Sequence, residues 1–184
     1  MSRSELKEVF LGMGTNLYDR EKNLQDALCH IRSQIGELTR ISSVYETEPW
    51  GFSDGNRFLN MAVLVKTRFT PAVVLKRVLS IETMLGRTRG TRHGYSSRII
   101  DIDILLYENR IISRPELKIP HPLLHKRNFV LVPLVEICPE GVHPVLDKTF
   151  AILLEECRDD GIISQYGTFQ HPLCISPMGG KEIQ

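Results

Sequence analysis

The chain has 184 residues, 42% of them hydrophobic and 24% charged, the proportions of a soluble globular protein with material for one substantial core. Its 23 basic and 22 acidic residues leave a formal net charge of +1, so no global field draws it to nucleic acid or an anionic membrane, and useful positive charge must be local. The start, Met1 to Glu8, is polar and mixed in charge, and no apolar run approaches the roughly 18 residues of a bilayer span, which makes the cytoplasm the default expectation. Cys29, Cys138, Cys157 and Cys174 contain no C-x-x-C pair; they read as reduced thiols rather than as a zinc site or a disulfide framework.

In chain order, Glu8 to Met13 is a short apolar stretch that runs into Gly14-Thr15-Asn16, a first strand ending in a glycine turn. Asp19 can cap a helix in which Leu24, Ala27, Leu28, Ile31 and Ile35 share one face, with Gly36 where a C′ glycine would end it. Leu38 to Thr47 and Phe58 to Thr67 are β-prone, and the segment 48–57 between them is too long for a tight hairpin, hence a candidate functional loop. Thr70 and Pro71 form an N-cap and first-turn pair for a second helix carrying Val74, Leu75, Val78, Ile81 and Leu85, closed by Gly86.

Arg87 to Ser97 is a basic, glycine-containing loop feeding a β-branched strand, Ile99 to Tyr107, and a turn at 108–110. The order β-α-β-β-α-β predicts the α+β class: a ferredoxin-like core, an antiparallel sheet with helices packed on one face, extended by a strand after Arg110. Prolines at 120, 122, 133, 139 and 144 interrupt the pattern beyond. Phe129 to Ile137 fits a short helix or a strand, with helix preferred, Thr149 to Cys157 is read as a short helix, and 165–184 as a tail of little periodicity. The expected organisation is a single domain over 1–164 with a C-terminal extension, 165–184.

The most informative segment is Arg98-Ile99-Ile100-Asp101-Ile102-Asp103-Ile104-Leu105-Leu106. Strand alternation puts Asp101 and Asp103 on one face and Ile100, Ile102, Ile104 and Leu106 on the other. Two carboxylates at i and i+2 repel unless a cation or water neutralises them. Mg²⁺ takes one or two carboxylates and completes its octahedron with water and substrate phosphate, so a pair suffices when a nucleotide is present. The bland alternative is a solvent-facing strand face. Just upstream stand Arg87, Arg89, Arg92 and Arg98 with no acid among them, planar forks suited to phosphate oxygens. No G-x-x-x-x-G-K-[ST] or G-x-G-x-x-G sequence is present, which excludes a P-loop or Rossmann phosphate cradle. Trp50 and Phe52, then Phe58-Leu59-Asn60, then Phe129, offer ring faces and an amide for a planar heterocycle, core packing being the alternative for Phe58 and Phe129. His121, between two prolines, belongs in an extended segment.

Together these pieces resemble the 6-hydroxymethyl-7,8-dihydropterin pyrophosphokinase family of folate-biosynthesis enzymes. The likeness runs from Val9 to about Glu140. It rests on Gly14-Thr15-Asn16-Leu17, Tyr45-Glu46-Thr47-Glu48-Pro49-Trp50-Gly51, Phe58-Leu59-Asn60, Glu82 with Gly86-Arg87, the Arg98-x-x-Asp101-x-Asp103 strand, and Ile119-Pro120-His121-Pro122 through Arg127-Asn128-Phe129. The resemblance implies two magnesium ions bridged by Asp101 and Asp103, with Arg87 and Arg98 catalytic beside them. It implies ATP contacts from Glu82, Arg87, Arg89, Tyr95, Arg98, His121 and Arg127, and a pterin held between Phe58 and Phe129 with Thr47, Trp50 and Asn60 around it. Two positions depart from the family pattern: Tyr95-Ser96-Ser97 stands where Trp-Gly-Pro is common, and Phe58 where many relatives carry Tyr. The expected partners are ATP and the hydroxymethyl-dihydropterin, with no nucleic acid, no membrane and a monomeric state. The rival readings are a two-metal phosphohydrolase on the same aspartates and a non-catalytic nucleotide- or RNA-binding ferredoxin-like module.

Overall fold

The computed structural model describes residues 5–51, 55–87 and 97–169. Strand β1 (Lys7–Thr15) leads into helix α1 (Arg20–Gln34), followed by β2 (Glu37–Ile41), β3 (Val44–Thr47), β4 (Phe58–Thr67), α2 (Pro71–Met84) and β5 (Asp101–Tyr107). The main antiparallel sheet runs β5-β1-β4-β3, with β2 pairing further along β4. Two short strands, β6 (Ile112–Ser113) and β7 (Lys118–Ile119), precede a 3-10 turn at Leu124–Lys126 and helix α3 (Asn128–Ile137). A second small hairpin, β8 (Val142–His143) with β9 (Lys148–Thr149), then α4 (Phe150–Glu155) and β10 (Ile163–Gly167) complete the described chain.

The caps form largely as their residues dictate. Asp19 Oδ1 accepts from the Lys22 amide at 3.0 Å and opens α1, while Thr70 and Pro71 start α2 and Gly86, at φ 92°, closes it in the left-handed region. Gly36 ends α1 for a different reason. A Cβ there would lie 2.1 Å from the Lys66 carbonyl oxygen, so glycine is required by the close passage of helix end and strand.

Central strand β4 shows why helices occupy both faces and not one. Met61-Ala62-Val63-Leu64-Val65 is buried without alternation, the signature of a strand covered on both sides. Val9, Leu11, Met13, Leu59, Met61, Val63, Ile102 and Ile104 pack with α1 and α2. On the opposite face Leu105 and Leu106 meet Leu124, Val130, Leu131 and Leu134, and Ala62 and Leu64 meet Ile137 of α3.

Five features differ from expectation. Leu38 to Thr47 divides into β2 and β3 because Ser42 and Ser43 turn their polar groups inward: the Ser42 hydroxyl accepts from the Ala62 amide at 2.9 Å, and the Ser43 amide and hydroxyl donate to the Glu136 carboxylate. β5 begins at Asp101, after Arg98, so Arg98 is freed from strand parity. A bulge between Phe10 and Leu11 of β1 shifts the register opposite Leu105, turning Leu106 toward α3 rather than toward the isoleucine face. Beyond Arg110, β6 pairs with β7 in a hairpin of its own instead of extending the sheet. At the other edge β10 pairs antiparallel with β3, so residues 165–167, read from sequence as the start of a tail, are sheet residues.

Candidate active site

The site lies on the α3 face of the sheet, where the register removes side chains. Gly12 pairs with Ala62 and Asp103, and Gly14 with Asn60 and Asp101, so a row of small residues crosses β1 and β4 next to the two aspartates. A Cβ at Gly14 would meet Asn60 Oδ1 at 2.8 Å. The resulting cleft has Gly12, Gly14, Asn60 and Ala62 in its lining, together with Asp101, Asp103, Thr47, Trp50, Phe58, Arg98, Arg127 and Phe129.

Asp101 and Asp103 share a face, as alternation requires, but their surroundings differ. Asp101 is gripped by both neighbouring arginines, Arg87 on Oδ1 and Arg98 on Oδ2. Arg87 also pairs with Glu82. Asp103 lies at the cleft wall with its side chain 44% exposed to cleft water and His121 Nε2 3.9 Å away. Desolvation first, and the Asp101 charge second, push the Asp103 carboxyl up to about 7; the water reaching it through the cleft moderates the burial contribution.

His121 follows a cis Ile119–Pro120 peptide in an extended segment whose amide donates to the Leu105 carbonyl at 2.9 Å, covering the outer edge of β5. Burial, then Arg127, lowers its pKa to about 4, which keeps the ring neutral near pH 7. The Leu123 amide donates to Nδ1 at 3.3 Å, leaving Nε2 as the protonated nitrogen that faces Asp103.

Arg127 is buried at the start of α3, its guanidinium carbon 4.5 Å from the Trp50 ring centre and 5.5 Å from that of Phe129. The ring and amide residues thus meet in the same cleft as the charged ones. Asn60 donates from Nδ2 to Thr47 Oγ1 at 2.8 Å, which orients its carbonyl oxygen over Gly14.

Glu82 lies behind the cleft wall. It is 2% exposed, and Oε1 accepts from the Ile102 amide at 2.8 Å while also holding Arg87. Its carboxylate thus caps the free edge of β5 and anchors an arginine, rather than lining the cleft. Arg89, Arg92, Tyr95 and Phe52 lie outside the described residues.

Asn16 escaped sequence reasoning as a site residue. It is buried, its Oδ1 accepts from the Arg98 amide at 2.8 Å, its own amide donates to the Arg98 carbonyl at 3.2 Å, and Nδ2 reaches Ser97 Oγ at 3.1 Å. The only signal was an amide closing an apolar strand. The floor glycines were legible as glycines but not as the opening of a cleft, because that depends on which residues β4 and β5 bring beside them.

The family profile described as 7,8-dihydro-6-hydroxymethylpterin-pyrophosphokinase matches residues 10–139. A protein of Aquifex aeolicus named 2-amino-4-hydroxy-6-hydroxymethyldihydropteridine pyrophosphokinase is 39% identical over 140 residues, covering 76% of this chain and 86% of its own. The protein of that name from Bacillus subtilis is 42% identical over 133 residues, covering 72% and 78%. The fold is similar to that of a Plasmodium falciparum HPPK-DHPS crystal structure at TM-score 0.67 and 20% identity, over 84% of this chain and 45% of that one, so the chain spans less than half of that longer protein. The matched span contains every residue found to line the cleft, and a match of this extent means that the chain belongs to the 7,8-dihydro-6-hydroxymethylpterin-pyrophosphokinase family.

Proposed function

We propose that the cleft transfers the diphosphate group of ATP to 6-hydroxymethyl-7,8-dihydropterin, giving AMP and the pterin diphosphate in folate biosynthesis, as the names of the relatives lead one to expect. The observation that carries the reading is that one cleft joins the Asp101–Asp103 pair, Arg98 and Arg127 to Trp50, Phe58, Asn60 and Phe129, with Arg87 paired to Asp101 beside it. In the transfer, the hydroxymethyl oxygen bonds to the β-phosphorus as the bond from that phosphorus to the α,β-bridging oxygen breaks. AMP leaves with the bridging oxygen, and the hydroxyl proton passes to solvent. No side chain is assigned as general base.

Arg87 and Arg98, held ready by Glu82, Asp101 and Asn16, present N–H groups to the phosphate oxygens, and Arg127 and the neutral His121 extend that donor set. Phe58 and Phe129 supply stacking faces, Trp50 lines the same cleft against Arg127, and Asn60, oriented by Thr47, offers its carbonyl oxygen to a ring N–H. Arg89 and Tyr95 complete the nucleotide side by resemblance.

Asp101 and Asp103 are the residues that would hold magnesium: two hard oxygen donors on one strand face, with Asp103 raised in pKa, fit a divalent cation. Among the described residues there is no group of three or more His, Cys, Asp or Glu side chains able to hold a metal, which leaves most of an octahedron to water and phosphate. Bound magnesium would neutralise charge on the β- and γ-phosphoryl oxygens.

We read the strand order β5-β1-β4-β3, crossed by α1 and α2, as the ferredoxin-like βαββαβ core, with the residues after it as a C-terminal extension of one monomeric, cytoplasmic domain. The test is nucleotide product analysis with and without dihydropterin. AMP formed only with dihydropterin supports the transfer; ADP refutes it; turnover without dihydropterin identifies a hydrolase, and no turnover a binding module.

A further inference from the structure

The loop 48–57 leaves the end of β3 and returns into the start of β4, and the last pair in their ladder is Thr47 with Phe58. Both residues line the cleft. Among the described residues the β3–β4 ladder has no pair beyond this one, and side chains bridge the loop's two roots.

Arg20 and Arg57 both span them, and Arg20 does so from outside the loop. Arg20, the first residue of α1, directs Nη1 to Glu46 Oε1 at 2.8 Å and to the Arg57 carbonyl at 2.9 Å. Glu46 immediately precedes Thr47, and Arg57 immediately precedes Phe58, so each contact lies one residue from a cleft wall. Arg57 itself stands 3.7 Å from Glu46 and 3.7 Å from Glu48, a looser set of charges around the same roots. The Arg20 side chain is 27% exposed. Its guanidinium carbon lies 5.8 Å from the Tyr166 ring centre, and the Tyr166 hydroxyl donates to Glu21 at 2.6 Å. Strand β10, which bears Tyr166, falls outside the residues matched by the family profile.

We infer that Arg20 is a positioning residue for the dihydropterin, a clasp that fixes the distance between the two roots of loop 48–57 and so the placing of Thr47 and Phe58. It does not line the cleft, and it acts only through Glu46 and Arg57. A partly exposed ion pair ordinarily contributes little; this one differs in joining two strand ends at the mouth of the cleft. The inference rests on the dihydropterin reading of the cleft.

The test is steady-state kinetics of Arg20→Ala and Arg20→Lys beside the unaltered protein, varying dihydropterin and MgATP separately. Arg20→Ala should raise the dihydropterin KM by roughly five- to tenfold, the size expected when a charge-assisted, partly exposed double contact is lost. The MgATP KM and the thermal midpoint should hold nearly constant. Arg20→Lys should regain part of the loss, since an ammonium keeps the attraction to Glu46 without the planar fork. Glu46→Gln, which leaves α1 intact, should shift the dihydropterin KM in the same direction. An unchanged dihydropterin KM in Arg20→Ala, or an equal rise in both KM values, overturns the clasp while leaving the transfer reaction standing. Absence of AMP from the unaltered protein overturns the reaction, and the clasp with it.

Discussion

Asp101 and Asp103 are two residues apart and chemically unlike. Arg87 and Arg98 neutralise Asp101 in the free protein, whereas Asp103 faces cleft water and a neutral histidine. Simple relief of repulsion is therefore expected at only one of them. Asp103→Asn should keep or raise the thermal midpoint measured without metal, while Asp101→Ala should lower it by leaving two arginines crowded together. Both should reduce kcat by on the order of a thousandfold or more, as loss of a charge-stabilising group in a reaction centre does. Near-normal turnover at saturating magnesium would rule out the metal assignment. Arg98 is held by its backbone to Asn16 and by its side chain to Asp101. Arg98→Ala should cost at least about a hundredfold in kcat/KM, with Arg98→Lys recovering only part. An Arg98→Ala variant with unaltered ATP kinetics would remove the residue from the mechanism. The pairing of Asp101 with Asp103 was legible because alternation is a backbone property. The inward turn of Glu82 was not, since the sequence records a carboxylate but not the strand edge it caps.

Among the elements, the long loop and the start of α3 meet through Trp50, Arg127 and Phe129. Trp50 is the only tryptophan, so indole emission comes from this part of the cleft. A guanidinium stacked on an indole should be drawn away when phosphate offers it stronger, charged partners. Emission should therefore change saturably with pterin, and more in the presence of a non-hydrolysable ATP analogue and magnesium, as water is excluded around both ligands. Calorimetric pterin binding with no change in Trp50 emission, after correction for ligand absorption, would show that the loop does not respond. Sequence reading recovered β4 with both its ends, because Phe58–Thr67 is bounded by polar residues on either side. It missed the second helical face. α3 carries Pro133 and sits among other prolines, so its 3.6-residue period was weak; yet the unbroken apolar run of β4 already called for a cover on each side.

On the scale of the whole molecule, a titratable pair joins the segment after the family-matched span to a turn inside that span. His143 is buried, its Nδ1 accepting from the Val145 and Leu146 amides at 3.3 and 3.2 Å, with the His125 ring 6.1 Å away edge to face. Burial, then the His125 charge, lowers the His143 pKa from its ordinary 6.5, and burial, then Lys126, lowers that of His125. At this pair the folded state holds fewer protons than the unfolded chain below about pH 6.5, so the pair's contribution to stability is fully present above that pH and declines as acid is added, opposite in sign to that of Asp103. Melting curves of the unaltered protein and His143→Gln, compared from about pH 8 to about pH 5, should diverge on the acid side, with the variant falling less steeply. An equally steep acid limb in that variant would assign the loss to other groups. β10 was hidden from sequence reading because Ile163–Gly167 is largely exposed and has no apolar alternation of its own. Its place is set by the bare edge of β3, a feature of the assembled sheet and not of the local sequence.

The same late segment reaches back twice. Asp159 accepts from the Asn128 amide at 2.9 Å and so caps α3 in place of a local residue, while Asn128 Nδ2 donates to the Asp159 and Gly161 carbonyls. Four residues on, β10 takes up the edge of β3 beside Thr47. During synthesis at roughly 5–20 residues per second, about two to six seconds separate the appearance of Asn128 from that of Asp159. For that interval the nascent chain carries strands β1 to β5 with the β3 edge bare and the start of α3 uncapped, open to pairing with a neighbouring polysome product. The cleft is therefore finished last by residues that never touch its ligands, and the rate at which the ribosome reaches them sets how long the young protein is exposed to aggregation.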